Sequence, residues 1–244
     1  MKHNILITGA SGGIGAAIAQ MLAADGHNLI LCYHQKEAAA RETMARCNEK
    51  GSRCILKQAD VSNEIQVKDL LEVAQTQFGP VDIVVNNAGI SRWGLLQDMT
   101  AEEWDRLFAV NVRSCFLTSK YALPAMVRAG FGRIINISSM WGQVGASCEV
   151  AYSAAKGAII SMTKALAKEV GPSGITVNCI APGVIDTPMN AAFTPEVIAS
   201  LKEETPLGRI GTPEDVASMV KYLVSPEASF ITGQVIGVNG GFVI

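Results

Sequence analysis

The chain has 244 residues, 49% hydrophobic and 17% charged, a size and balance that fit one globular α/β domain around a large core. Twenty Lys and Arg against 22 Asp and Glu leave a formal net charge of -2, with no basic run, so neither nucleic acid nor an anionic membrane is an expected partner. The cysteines at 32, 47, 54, 115, 148 and 179 are dispersed without a C-x-x-C, the N-terminal apolar run is too short for a signal core, and no apolar run nears the roughly 18 residues of a membrane helix. The expectation is a cytoplasmic protein with reduced packing thiols and no zinc site.

The first predicted strand, HNILIT (3–8), runs into TGASGGIG and then a helix over 13–25. Gly9, Gly13 and Gly15 stand on a G-x-x-x-G-x-G spacing. Glycines allow a tight turn and close backbone approach to a pyrophosphate, and the helix N-terminus faces the anion. The string is not G-x-G-x-x-G, and its weight comes from standing between strand and helix.

The second predicted strand, HNLILCY (27–33), ends in HQK, with no carboxylate until Glu37. The acidic residue that would accept a ribose 2′-hydroxyl is missing, and His34 and Lys36 are placed to receive a 2′-phosphate, which favours NADP(H) over NAD. The alternative is that both are simply solvated where the next helix, 36–50, begins. RCILKQA (53–59) is the third predicted strand and passes into ADVS (59–62), ahead of a helix over 63–78. DIVVNN (82–87) is the fourth and leads into NNAG (86–89).

One long helix is predicted over 102–129. GRIINIS (132–138) follows as a strand ending in NISS (136–139), and then a helix over 152–170. GITVNCIA (174–181) leads into APGVIDTPM (181–189), and a helix over 213–225 precedes the last strand, QVIGVNG (234–240). These seven strands barely alternate in polarity, which marks them as buried. Alternation with helices predicts a single doubly wound, Rossmann-type domain: a seven-stranded parallel sheet with helices on both faces and ligands at the carboxyl ends of the strands. Residues 186–212 break the rhythm as an insertion without a strand, either a substrate lid or a surface excursion.

CEVAYSAAKGA (148–158) puts Tyr152 and Lys156 about one helical turn apart, on one face. Alone, the pair reads equally as an ordinary surface contact. A hydride arriving at a carbonyl carbon, however, leaves alkoxide charge that needs a donor and a proton source. A phenol with a pKa of about 10 becomes useful in both directions when an ammonium lowers it.

With TGASGGIG, ADVS, NNAG, NISS, Y-x-x-x-K and APGVIDTPM in order, the chain resembles the short-chain dehydrogenase/reductase family over essentially its full length. The resemblance implies that Ser139 hydrogen-bonds the substrate carbonyl and that Tyr152 is the acid/base. It also implies that Lys156 binds the nicotinamide ribose and lowers the phenol pKa, and that Asn111 holds a water linking the lysine to solvent. Ser138 and Ser139 also read as strand-end hydroxyls, and Asn111 as a buried polar residue tying helix to strand. For the cofactor it implies Gly9, Ser11, Gly12, Gly13, Ile14 and Gly15 at the pyrophosphate, and His34, Asp60 and Val61 at the adenosine. Asn87, Ala88 and Gly89 would line the ribose and nicotinamide side, Tyr152 and Lys156 would touch the cofactor themselves, and Pro182, Gly183, Ile185 and Thr187 would cap the carboxamide. No metal is needed.

The C-terminal half is most similar to 3-oxoacyl-[acyl-carrier-protein] reductases and their relatives among sugar and polyol dehydrogenases. It departs from them at Gly12 and Ser173, where basic residues are usual, leaving Arg92, Arg128 and Arg133 as candidates for a carrier-docking patch. Trp93, Met140, Trp141, Val144 and Met189 are expected to surround the reacting carbon in an apolar pocket, although Met140 and Trp141 also read as packing under the lid. The expected activity is NADPH-dependent reduction of a 3-oxoacyl thioester, carried by acyl carrier protein. The alternatives are a dehydrogenase of a free ketone or sugar and a silent nucleotide-sensing protein. The small and apolar residues of the helices over 102–129 and 152–170, which pair across a two-fold axis in the resembled family, predict a homotetramer, with a second interface from the C-terminal GGFVI and a dimer as fallback.

Overall fold

Runs of β-branched and leucine residues bounded by turns form all seven expected strands. In the computed structural model, which describes residues 2–191 and 193–244, these are β1 (Asn4–Thr8), β2 (Asn28–Tyr33), β3 (Arg53–Gln58), β4 (Ile83–Asn86), β5 (Gly132–Ile137), β6 (Ile175–Pro182) and β7 (Val235–Val238). They make one parallel sheet in the order β3-β2-β1-β4-β5-β6-β7. The order reverses between β1 and β4, so the loops leaving these two strands diverge and open the crevice in which such sheets bind ligands.

Successive strand residues face opposite sides. Ile5, Ile7, Leu29, Leu31 and Ile135 pack on one face with Ile18 and Leu22 of α1 (Gly13–Ala23) and Val216 and Val220 of α9 (Pro213–Val224). Leu6, Ile30, Val84, Ile134 and Val177 pack on the other with Leu70 of α3 (Glu64–Phe78), Leu117 of α5 (Ser114–Ala129) and Ala167 of α7 (Val150–Val170). α2 (Glu37–Glu49) flanks the β3 edge.

The long helix expected over 102–129 is instead three pieces. α4 (Ala101–Phe108) is followed by a π-turn at Ala109–Arg113 and then α5. Asn111 explains the break: its side-chain amide donates to the Leu107 carbonyl at 3.0 Å, taking the acceptor that its own backbone N–H would use in an α-helix. Ser114 Oγ and Cys115 Sγ donate to the Val110 and Asn111 carbonyls in the same turn.

Among its described residues the insertion at 186–212 has no strand but does contain a helix absent from the expected elements, α8 (Pro195–Glu204), with Thr194 capping the Val197 N–H and Pro195 in the first turn. Its two ends are tied together: Gly211 N–H donates to Val184 O at 2.8 Å and Asp186 N–H to Gly211 O at 2.9 Å. A short helix, α6 (Trp141–Val144), lies between β5 and α7. No helix among the described residues is long and apolar enough to cross a membrane.

Candidate active site

The catalytic candidates come from three elements that meet beyond the carboxyl ends of β4 and β5. Ser139 lies two residues past β5, where Ser138 N–H donates to Ile180 O and Met140 N–H to Pro182 O, so the loop is still laced to β6. Ser138 Oγ donates to the Lys156 carbonyl at 2.8 Å, which docks the strand end on α7. Ser138 is thereby engaged in the fold, whereas Ser139 Oγ accepts from the Trp141 N–H at 3.2 Å and acts to lower the Tyr152 pKa. α6 presses on the same turn: a Cβ at Gly142 would come within 2.7 Å of the Lys156 backbone.

Tyr152 and Lys156 share a face of α7, with the Lys156 Nζ 5.5 Å from the centre of the Tyr152 ring. Lys156 is 4% exposed and donates to the Ile137 carbonyl at 2.9 Å. Burial lowers its pKa. Burial also pushes the Tyr152 phenol up to about 12, with Glu149 adding to the rise and Ser139 opposing it. Burial is the largest cause of this rise, with Glu149 second.

Asn111 is fully buried. Its amide donates to Ile90 O at 2.9 Å and Leu107 O, and its Oδ1 accepts from the Ile90 N–H at 3.3 Å. It fastens the loop after β4 to the π-turn. A Cβ on Gly89 would stand 2.6 Å from Asn111 Oδ1 and 3.5 Å from Lys156 Nζ, so the three residues surround one small space.

The glycine turn has the features a dinucleotide pyrophosphate needs. α1 starts at Gly13 with no side-chain cap and no acidic residue in its first turn, so its leading N–H groups face outward without a competing carboxylate. A Cβ on Gly12 would meet nothing within 4 Å, whereas Gly9 has φ +67° and a Cβ on Gly15 would lie 2.2 Å from the Gly9 carbonyl oxygen. The first leaves room for a ligand and the other two hold the turn tight. Ser11 and Ile14 are only partly buried on this turn. Asn87 staples the turn to β4, donating to Thr8 O at 3.0 Å and Gly9 O at 3.2 Å, and Thr8 Oγ1 accepts from the Asn87 and Ala88 N–H groups.

The remaining cofactor candidates lie at the rim of the same crevice. His34 follows β2 with its side chain about half exposed, and Asp60 follows β3 within 4.0 Å of it. The Val61 side chain is buried in the core and Ala88 packs against the same cluster, so those two positions offer backbone. Pro182 ends β6, Gly183 packs against Asn239, and Ile185 is buried. Thr187 reaches back over the glycine turn, its methyl 3.3 Å from where a Gly13 Cβ would stand.

The pocket expectations divide. Trp93, Val144 and Met189 are 70%, 59% and 51% exposed, so each leaves apolar surface open to solvent. Met140 is 1% exposed because the residue after Ser139 turns into the core as α6 begins, so it presents no surface to a substrate. Trp141 packs edge-on against Phe242, ring centres 5.6 Å apart. The three arginines do not cluster. Arg92 lies beyond the end of β4 and pairs with Glu103 at 3.0 Å. Arg133 is in register with the first residue of β4, at the opposite end of the sheet, and is buried over the Phe131 ring. Arg128 closes α5 near that same end.

Two features escaped the motif reading. Glu149, at the N-cap of α7, is desolvated, which raises its pKa, and its charge acts on Tyr152. Arg106 on α4 binds Asp60.

A family model described as Enoyl-(Acyl carrier protein) reductase matches residues 9–243. Uncharacterized oxidoreductase YmfI of Bacillus subtilis is 42% identical over 243 residues, 99% of both chains. The 3-oxoacyl-[acyl-carrier-protein] reductases FabG of Staphylococcus aureus and Vibrio cholerae are 39% identical over 241 residues (99% of this chain, 98% of the relative) and 41% identical over 236 (97% and 95%). Motifs, sheet order and near full-length identity agree: the chain is an oxidoreductase belonging to the short-chain dehydrogenase/reductase family.

Proposed function

We propose that the chain reduces a 3-oxoacyl thioester to the 3-hydroxyacyl thioester with NADPH, the thioester being carried by acyl carrier protein as in the names of the FabG relatives. The observation that carries the reading is the convergence of Ser139, Tyr152 and Lys156 beside a glycine turn whose helix N-terminus is open to an anion. The nicotinamide, when bound, supplies the hydride that adds to the keto carbon. Ser139 donates a hydrogen bond to the keto oxygen, and Tyr152 transfers its proton there as negative charge develops. Reduction needs the phenol protonated, and burial keeps it so. In this reading the Lys156 ammonium binds ribose hydroxyls and returns a proton to Tyr152, a role supported by its place beside the Tyr152 ring. Asn111 holds the Gly89–Ile90 loop in place for both.

The exposed apolar side chains of Trp93, Val144 and Met189 suit an acyl chain better than a bare polyol, and we assign the insertion over 186–212, tied at its ends, as the substrate lid. Assembly as a homotetramer is supported by the exposed Phe116 and Val127 of α5, Val150 of α7, and Phe230 ahead of the edge strand β7.

Loss of NADPH absorbance tests the activity. Acetoacetyl thioesters of acyl carrier protein and coenzyme A are compared with crotonyl-coenzyme A and with free ketones and sugars. Consumption with the acetoacetyl thioesters is expected. Turnover of crotonyl thioester alone would make this an enoyl reductase, and turnover of free ketones or sugars alone would replace the thioester reading with the dehydrogenase one.

A further inference from the structure

The adenosine end of the crevice contains an ion pair that links three separate segments. Asp60 Oδ2, beyond β3, lies 3.1 Å from Arg106 Nη1 on α4 and 4.0 Å from His34 Nε2 beyond β2. The same Arg106 Nη1 donates to Ser62 Oγ at 3.0 Å. Ser62 in turn donates to Asp60 Oδ1 from its N–H at 2.9 Å and its O–H at 2.6 Å. Asp60 is fixed from behind as well, its N–H donating to Gln66 Oε1 at 2.7 Å. Ser62 and Arg106 thus hold the carboxylate on the side of His34.

This creates a conflict for a cofactor carrying a 2′-phosphate. Burial alone would raise the Asp60 pKa, but the hydrogen bonds from Ser62 and Arg106 outweigh it and hold the carboxyl below its usual range, so the group is ionised. An ionised carboxylate beside His34 competes for the imidazole and repels a phosphate that approaches it. Arg106 supplies the opposing charge. Its helix is independently held: Thr100 and Glu103 form a reciprocal cap, and Glu103 also pairs with Arg92 in the loop after β4.

We propose that Arg106 is a specificity-determining residue: by pairing with Asp60 it neutralises the carboxylate beside His34 and so permits a 2′-phosphorylated adenosine cofactor. The proposal rests on the NADPH reading above. It makes Arg106 act through Asp60, with no contact of its own to the phosphate required. Because the Arg106 side chain is 47% exposed, solvent and salt screen it, and the effect is a discrimination of about fivefold rather than an absolute switch.

Titration calorimetry with 2′,5′-ADP and 5′-AMP on the cofactor-free protein tests this without any turnover. The native protein is expected to bind 2′,5′-ADP more tightly. Arg106→Leu should weaken 2′,5′-ADP by about fivefold relative to 5′-AMP, and this loss should vanish when Arg106→Leu is made in an Asp60→Asn background. Arg106→Gln, neutral and of similar reach, replaces Arg106→Leu where the latter does not give a native circular dichroism spectrum. Equal weakening of both nucleotides, no weakening, or a loss that persists with Asp60→Asn would overturn the proposal while leaving NADPH preference intact. A native protein that binds both nucleotides equally would remove the NADPH reading, and this proposal with it.

Discussion

Lys156 holds its ammonium 5.5 Å from the centre of the Tyr152 ring while donating a hydrogen bond to the Ile137 carbonyl. Lys156 is buried and Tyr152 partly so, and desolvation drives each toward its neutral form, lowering the lysine and raising the phenol to about 12. The difference in absorbance between the native protein and Tyr152→Phe, followed near 295 nm, should show one phenol ionising at about 12. An unfolded tyrosine ionises near 10. The contribution of this burial to stability is therefore complete below about pH 10 and lost as the pH rises through 12. Ionisation below 10 in the absence of cofactor would sink this account.

Glu149 stands at the N-cap position of α7, about one turn before Tyr152, without a side-chain capping bond, and carries no ion pair among the described residues. Its negative charge disfavours phenolate and adds to the rise caused by burial. Glu149→Gln should lower the Tyr152 ionisation in the same spectral titration while leaving it above the free value, since burial is the larger cause. An unchanged titration would mean that the carboxyl does not act on the phenol.

Tyr152→Phe should retain the circular dichroism spectrum and nucleotide binding while ketone reduction falls by roughly 10²-fold or more, the scale of losing a positioned proton donor. Ser139→Ala should give a comparable loss with the phenol ionisation moved further up, because Ser139 opposes the rise. Near-native turnover in a folded Tyr152→Phe protein would remove the phenol from the reaction.

How far the sequence discloses these relations depends on how local their causes are. The strands are readable because the runs Ile5 to Ile7, Leu29 to Leu31 and Ile83 to Val85 are apolar on both faces, a pattern that only a covered parallel sheet explains. The Tyr152–Lys156 face follows from helical spacing alone. α8 is equally local, signalled by Thr194 and Pro195, but its signal is masked by an insertion that otherwise lacks regular patterning. The π-turn is not readable, since it depends on whether the Asn111 amide bonds outward or back to Leu107. Met140 and Arg133 depart from expectation for a tertiary reason: an apolar residue beside Ser139 and a charged one in β5 are both buried by elements distant in sequence. Asp60 and Arg106 likewise meet only because β3 and α4 end on the same crevice.

The glycine turn separates space kept for the fold from space kept for a ligand, and substitution to alanine reads the two apart. At Gly15 the added Cβ would sit 2.2 Å from the Gly9 carbonyl oxygen and 2.6 Å from Asn87 Nδ2, inside a turn that Asn87 and Thr8 already hold closed. Gly15→Ala must displace backbone, at a cost of about 1–3 kcal/mol, which lowers the melting temperature of a chain this size by several degrees. At Gly12 the backbone is extended and the added Cβ meets nothing within 4 Å, so Gly12→Ala should leave the melting temperature within about 2 °C of the native value, the shift expected of well under 1 kcal/mol. The methyl then projects over the start of α1, where a pyrophosphate would approach the backbone, and binding of the dinucleotide should weaken. Thermal melts and nucleotide titrations on both variants decide the matter: a Gly12→Ala protein that binds NADP⁺ as tightly as the native chain would show that the open space above this turn is not where the cofactor lies.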